Sequence, residues 1–452
     1  MSSMPKYRPL PILRVWLILV VLCCTSVECN PRATPIGRAL FFLRTRQVAA
    51  GVEVLTEDGP VVDYAGNWPQ SFSLEGTPAF RIRDVSPFIV TFIHHALTHV
   101  VEENAAALGL TGRDVLDARV MRQRAVEFMR RFESGPGAAD AGAFGFWPQD
   151  ERLDAPQTLG QLLARDWLEG PVLMGDRRPV NLEVYPAAMA IPSDADVTAT
   201  VYAALLDHAA IDGGAVPDTS IAQLFADWRD TGAVPLRAEP DWLPPQSGVF
   251  LTWLDYREAG EAHVPNDVDL VVNANVLYTL ARYDRLDTPG VAEAVALINA
   301  VVEEGRHVAR VESLGNYYPD GFAFHYSVSR AYCEGPVAGL RPAAERLAES
   351  VEQSAQVTPA GGVFWDKGAP HLDTALAVLT LMNASRQTPL IDKAVEYLIA
   401  EQDPTWGNWD EGAFFVARTD AGPTFVWTSK SLTIAFVLEA LCQYELMQAQ
   451  GR

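Results

Sequence analysis

Apolar positions along this chain fall into two kinds of helical segment. In the first kind they return every three or four residues and leave polar faces between them. Ala394, Val395, Leu398 and Ile399 alternate with Asp392, Glu396 and Glu401, and Val120, Ala125, Phe128 and Met129 stand among arginines from Arg119 to Arg131. Ile221, Leu224 and Phe225 repeat the pattern, as do Val291, Val295, Ile298 and Val302. This spacing predicts amphipathic helices with one wet side, and residues 35–47 and 342–353 read the same way. In the second kind, residues 88–101, 197–206, 270–280, 322–332, 372–381 and 432–441 are apolar nearly all round. Helices without a water-facing side belong inside. The two kinds alternate from first to last, starting outer and ending inner. Strand patterns are scarce, with short pieces expected near residues 52–62.

Between an outer and an inner segment stands a glycine with a ring two residues on. The six copies are Gly66-Asn67-Trp68, Gly145-Phe146-Trp147, Gly248-Val249-Phe250, Gly315-Asn316-Tyr317, Gly362-Val363-Phe364 and Gly407-Asn408-Trp409. Glycine permits the backbone that follows a helix C-terminus, and the ring fills the gap between repeats. One such unit cannot bury its apolar face alone, so copies stack. Six helix pairs can close into a ring. The expected fold is therefore all-α: an (α/α)6 toroid of six inner and six outer helices, with short β pieces in loops. Residues 30–452 are read as one toroid domain with an insert at about 150–192, rich in Pro and Asp, placed to cover a mouth of the ring.

Hydrophobic residues at 49% and charged ones at 20% are ordinary for a globular protein. A net charge of −22 argues against binding nucleic acid or anionic lipid through a basic face. Residues 1–29 read as a signal peptide or N-terminal anchor. Lys6, Arg8 and Arg14 precede an apolar stretch at 15–27, which is short for a membrane span of ~20 residues. The expected location is periplasmic, extracellular or membrane-anchored. Removal of that segment leaves Cys333 and Cys442, expected as buried thiols on non-adjacent inner helices.

Four stretches carry a family likeness. Gln402-Asp403-Pro404-Thr405-Trp406-Gly407-Asn408-Trp409 resembles the QW repeat of squalene-hopene and oxidosqualene cyclases. Asp194-Ala195-Asp196-Val197-Thr198-Ala199 is similar to the DxDDTA acid motif of class II terpene cyclases, with valine in place of the last aspartate. Asp267-Val268-Asp269-Leu270 is a looser echo, and His371-Leu372-Asp373-Thr374-Ala375-Leu376 is similar to the Asp-Thr-Ala start of inner helices in the same group. The chain thus resembles the terpenoid-cyclase and protein-prenyltransferase toroid superfamily. That resemblance implies acid-initiated cyclisation of an isoprenoid, with Asp196 as proton donor and Asp194 anchoring it. The chain departs from the squalene cyclases in having length for one toroid and in its export signal.

Other residues point to the same end of the inner layer without the resemblance. Buried polar groups on apolar helices need partners or a ligand. Asn273, His325, Tyr326 and Asp373 stand at comparable depths there, with Lys430 beside them, and Asp267, Tyr317, Trp365 and Trp427 join them as substrate-binding candidates. Rings at such a place stabilise cations through their faces, and Trp68 and Trp147 are further candidates. Asp196 and Asp269 also suit a glycan-active toroid, where paired carboxyls serve as acid and base. A ring that binds a small molecule without chemistry is a third reading. Both acid pairs also read as capping-box variants at helix starts after Pro192 and Pro265, with Ser193 or Asn266 at the N-cap and an acid three residues later. His95 and His99, with Glu102 and Glu103 a turn later, have metal-ligand spacing, but packed histidines on an inner helix account for them equally. No cofactor and no metal is expected.

Overall fold

Each segment that repeats at helical spacing folds as a helix, and the two kinds take different layers. A computed structural model describes residues 34–50, 52–56, 59–75, 77–101, 105–135, 140–146, 192–215, 220–254, 265–417 and 424–451. The N-terminal segment, residues 151–191 of the expected insert, Glu102, Glu103 and Trp147 lie outside these. In chain order the helices of the two layers, leaving aside the single turn Arg306–Ala309, are α1 (Pro35–Arg46), α2 (Pro87–Val101), α3 (Gly112–Met129), α4 (Ala195–His208), α5 (Ile221–Asp227) and α6 (Leu270–Arg282). They continue as α7 (Val291–Glu303), α8 (Ala323–Cys333), α9 (Arg341–Gln353), α10 (Pro370–Asn383), α11 (Pro389–Glu401) and α12 (Lys430–Gln450). Odd numbers are outer helices and even numbers inner ones.

The inner helices close a ring. Each packs on the next, from α2 through α4, α6, α8 and α10 to α12, and α12 packs back on α2. Because every inner helix is entered from an outer one running back, their first turns gather at one end. Phe88 in the first turn of α2, Tyr318 just before α8 and Phe414 before α12 accordingly meet there.

The glycine loops explain how neighbouring pairs lock. The indoles of Trp68, Trp365 and Trp409 donate from Nε1 to the carbonyls of Leu43, Val351 and Leu398 at 2.8, 2.9 and 2.7 Å, stapling each loop to the end of the preceding outer helix. Main-chain N–H groups of Phe144, Phe250 and Trp365 donate forward to Thr198, Asn273 and Thr374 on the following inner helix. This corrects the register of two copies. The second is Gly142-Ala143-Phe144, with Gly142 at φ +86°, and not the expected Gly145-Phe146-Trp147. In the fifth the locking ring is Trp365, while Phe364 stacks on Tyr397 at the surface layer.

Two glutamines repeat one arrangement. Gln402 Nε2 donates to Gly407 O at 3.1 Å and to Pro35 O of α1 at 3.0 Å, while its Oε1 accepts from Arg38 Nε at 2.9 Å. Gln47 Nε2 donates to Gly66 O at 3.2 Å and to Met121 O of α3 at 2.8 Å. Each glutamine ends one outer helix and reaches the next.

There is more strand than the sequence predicts. The hairpin β1 (Val52–Thr56) with β2 (Gly59–Asp63) lies where short strands are expected. Beyond it, β3 (Gln70–Leu74), β4 (Thr77–Asp84), β5 (Ala413–Ala417) and β6 (Phe425–Thr428) form an antiparallel sheet in the order β4-β3-β6-β5. Trp427 pairs with Phe72 across it, so the sheet ties the first repeat to the last. Cys442 is buried as expected, but Cys333 at the end of α8 is exposed, because the inner helix leaves the core there. No helix among the described residues is long and apolar enough to cross a membrane.

Candidate active site

The start of α4 sets two carboxyls to different work. Asp194 is extended (φ −118°), and its Oδ1 accepts from the Val197 N–H at 2.6 Å as the N-cap. Asp196 lies inside the first turn, and its side chain caps nothing. Its Oδ1 accepts from Asn275 Nδ2 at 2.7 Å, and its Oδ2 accepts from the Tyr318 hydroxyl. Asn275 is itself held by Arg330, whose Nη2 donates to Asn275 Oδ1 at 2.7 Å.

The second acid pair is shifted along its helix. Asp269 is the N-cap of α6, and its Oδ1 accepts from the N–H groups of Val271 and Val272 at 2.7 and 3.1 Å. Its Oδ2 accepts from Tyr317 N at 3.2 Å. Asp269 is thus the counterpart of Asp194, and Val271 stands where Asp196 would be. Asp267 lies before the helix, taking the Tyr317 hydroxyl at 2.5 Å, the Trp253 indole at 3.3 Å and an ion pair with Arg237 at 3.7 Å.

The acids share one buried space. Burial, followed by the neighbouring Asp196 charge, raises Asp194 well above the ordinary carboxyl range. Burial pushes Asp196 up to about 6 against the pull of Tyr318, Asn275 and Arg330. Asp269 is pushed up to about 7 by burial, opposed by its main-chain donors and assisted by the Asp196 charge. A group raised in this way keeps a protonated fraction at higher pH than an ordinary carboxyl and can give that proton away.

Aromatic rings cover these acids. Tyr318 lies 5.4 Å from Phe414 and 6.1 Å from Phe88, and Phe414 lies 4.8 Å from Phe436 and 5.3 Å from Phe92. Phe415 stacks on Trp427 at 5.1 Å, and Phe146 closes on Trp427 at 5.9 Å. Deeper in the ring, beside Thr91, Thr200 and Tyr278, a cavity of about 10 Å³ remains, room for one water. A polar line runs down from the acids: Asp196, Asn275 and Arg330, then the Tyr326 hydroxyl 3.4 Å from Arg330 Nη1 and 3.1 Å from Glu439.

The remaining sequence candidates divide accordingly. Tyr317, Asp267 and Trp427 lie at the acid end, and Tyr326 faces the ring interior against Phe436. Asn273 is turned to the Phe250 loop, bonding both its N–H and its carbonyl. Trp365 and Trp68 are staples to outer helices. His325 bonds Ser350 of α9 at 3.2 Å, pointing outward. Asp373 accepts from Lys367 N and Ala369 N and meets Asp320, while Lys430 is exposed. None of these six reaches Asp196. Phe414 and Phe415 were not singled out from sequence, and Tyr318 is expected at this end only as the second ring of the Tyr317–Tyr318 loop. Phe414 and Phe415 show only as apolar residues of a five-residue strand.

No family model and no curated protein matches the chain. Among solved structures, a variant of the type II terpene cyclase MstE from Scytonema, in complex with its substrate geranylgeranyl dihydroxybenzoate, is similar at a TM-score of 0.51 and 14% identity, over 92% of this chain and 98% of that one. The ligand-free enzyme gives a TM-score of 0.51 and 14% identity over 93% and 99%. An unsaturated glucuronyl hydrolase specific for heparin gives a TM-score of 0.43 and 10% identity over 93% and 98%. Likeness at this identity speaks for architecture, and in architecture the protein is an α/α toroid, the fold of the type II terpene cyclase.

Proposed function

We propose that the protein is an exported, terpenoid-cyclase-like enzyme that starts cyclisation of an isoprenoid by protonating it from Asp196. One observation carries this reading: of the four aspartates at the α4 and α6 starts, Asp194 and Asp269 cap helix N–H groups and Asp267 is ion-paired with Arg237, whereas Asp196, buried in the first turn, is held by Asn275 and Tyr318 alone. As a carboxylic acid, Asp196 adds its proton to an alkene or epoxide carbon or oxygen. The carboxylate left behind is met by Asn275 and the Tyr318 hydroxyl, with Arg330 fixing the Asn275 amide. The faces of Phe88, Phe92, Phe414 and Tyr318 then stabilise the carbocation. Entry of substrate requires β5 and the Tyr317–Tyr318 loop, joined by the Val416 N–H on Tyr317 O at 2.7 Å, to move off the acid. The geranylgeranyl substrate of MstE makes polyprenylated aromatics the first class to try, with squalene beside them.

The test is turnover by purified protein and by Asp196→Asn. The expected result is cyclised product from the wild type and a loss of about 100-fold or more in the variant, the range for removing an acid catalyst, with circular dichroism unchanged. Undiminished turnover by the variant ends the proposal.

The packing of the centre favours a second reading, a ring that binds without chemistry. Phe92, Phe414 and Phe436 fill the space above Tyr326, and Val197 stands in place of the motif's last aspartate. Binding of a polyprenyl compound with no product from wild-type protein selects it. The glycan reading needs two free carboxyls about 5–9 Å apart, and Asp269, its second carboxyl, is engaged by three main-chain N–H groups.

A further inference from the structure

We propose a divalent transition-metal site in the ring interior, built by His95 and His99 of α2, Glu334 at the end of α8 and Glu439 of α12. It is independent of the chemistry assigned to Asp196. Each residue offers one ligand atom, and all four atoms lie within 4.8 Å of one another. His95 Nε2 is 3.2 Å from Glu334 Oε2 and 3.7 Å from Glu439 Oε1. Bonds of about 2.0–2.2 Å in a tetrahedral site set ligand atoms roughly 3.3 Å apart, so a pair at the 4.8 Å limit closes by about 1.5 Å.

The histidines supply the second observation. His95 is only 8% exposed, and its Nε2 points into this group, where the nearer carboxylate is that of Glu334 and no well-aligned hydrogen bond forms. The Nε2 of His99 is likewise buried and without a hydrogen bond. An imidazole nitrogen left so costs free energy unless a cation takes its lone pair.

The surroundings orient these atoms as outer partners of a metal ligand do. Asp207 Oδ2 lies 4.0 Å from His95 Nδ1, which turns the other ring nitrogen toward the site. Asp207 is fixed in turn by Arg282. Gln443 Nε2 donates to Glu334 Oε1 at 3.0 Å, so that Oε2 is the oxygen facing His95. The Tyr326 hydroxyl donates to Glu439 at 3.1 Å. Two imidazoles and two carboxylates suit zinc or its first-row neighbours better than magnesium or calcium, which take oxygen ligands. His99 and Glu334 are half-buried and give an ion a way in. A bound ion would join α2, α8 and α12 across the ring.

An imidazolium of His95 paired with Glu334 is the competing account of the same atoms, and metal binding separates them. The full chain, stripped with a chelator and dialysed, is titrated with Zn2+ by calorimetry and with Co2+ by visible absorption. The expected result is one equivalent of Zn2+, a tetrahedral Co2+ spectrum and a rise in melting temperature. His99→Ala should weaken Zn2+ binding at least tenfold, as should Glu334→Gln, which keeps shape and lies at a half-buried position. Circular dichroism of the stripped variants checks that they fold. Binding below a tenth of an equivalent at micromolar Zn2+ overturns the proposal, and so does Zn2+ affinity unchanged in both variants.

Discussion

Asp194 and Asp196 stand two residues apart at one helix start, and their charges cost the fold differently. Asp194 and Asp269 offset their burial with N–H donors at a helix terminus, where the dipole favours an anion. Asp196 has only Asn275 and Tyr318. Its carboxyl is raised from 3.8 to about 6, and that of Asp269 to about 7. Between pH 4 and these values the folded chain binds more protons than the unfolded one, so stability falls as pH rises. The contribution is complete below the unfolded value, is lost progressively from about pH 4 upward and is gone once pH passes 6 to 7. A shift of about two units corresponds to about 3 kcal/mol. Asp196→Asn should therefore gain up to about 3 kcal/mol over wild type at pH 8, about half of that at pH 5 and little below pH 4, measured by urea unfolding. Equal pH slopes in the two proteins would remove the electrostatic basis of the acid assignment. The sequence made this carboxyl legible because motif position and helix start coincide at residues 194–199. It could not show that the echo at 267–269 is out of register, since capping by Asp269 is a fact of backbone conformation.

At the scale of loops and helices, the glycines mark where the next outer helix comes closest. A Cβ on Gly66, which has φ +93°, would lie 2.0 Å from Arg124 O of α3, and one on Gly407 would lie 2.5 Å from Arg38 O of α1. No side chain moves aside here, because the obstacle is main chain. Gly66→Ala should cost about 3–5 kcal/mol, combining a left-handed alanine with overpacking. Gly305→Ala, at φ +74° with nothing within 4 Å, should cost only about 1–2 kcal/mol. Thermal unfolding of both variants tests the difference, and equal losses would mean that close approach plays no part. Helices were legible because their periodicity is local. Gln47 was hidden because the β1–β2 hairpin separates it from Gly66, although the contacts it makes match those of Gln402. The shift from Gly145 to Gly142 escaped for a similar reason: two glycines in six residues offer two frames, and only the bond from Phe144 to Thr198 chooses between them.

Closure is the property of the whole molecule, and three devices secure it: α12 on α2, the β3–β6 pairing and Gln402. An open stack of repeats can fray from either end, whereas a closed one has no terminal repeat to lose first. The alternation of outer and inner segments made the ring legible. The filled centre was not, because Phe414 and Phe415 reach it from a strand that helical spacing cannot reveal. Gln402 is the smallest of the three devices and the easiest to remove. It makes hydrogen bonds with Pro35, Arg38 and Gly407, and its loss removes all three at once, two of them to α1. Gln402→Ala should cost about 2–4 kcal/mol, at roughly 1 kcal/mol for each of the three bonds. The informative measurement is where the loss is felt. If Gln402 closes the ring, hydrogen exchange should quicken in α1, more than 350 residues away in sequence, as well as in α11 and the start of α12. Exchange that quickens only around residues 402–409 would make Gln402 a local loop brace, and closure would then rest on the α2–α12 packing and the sheet.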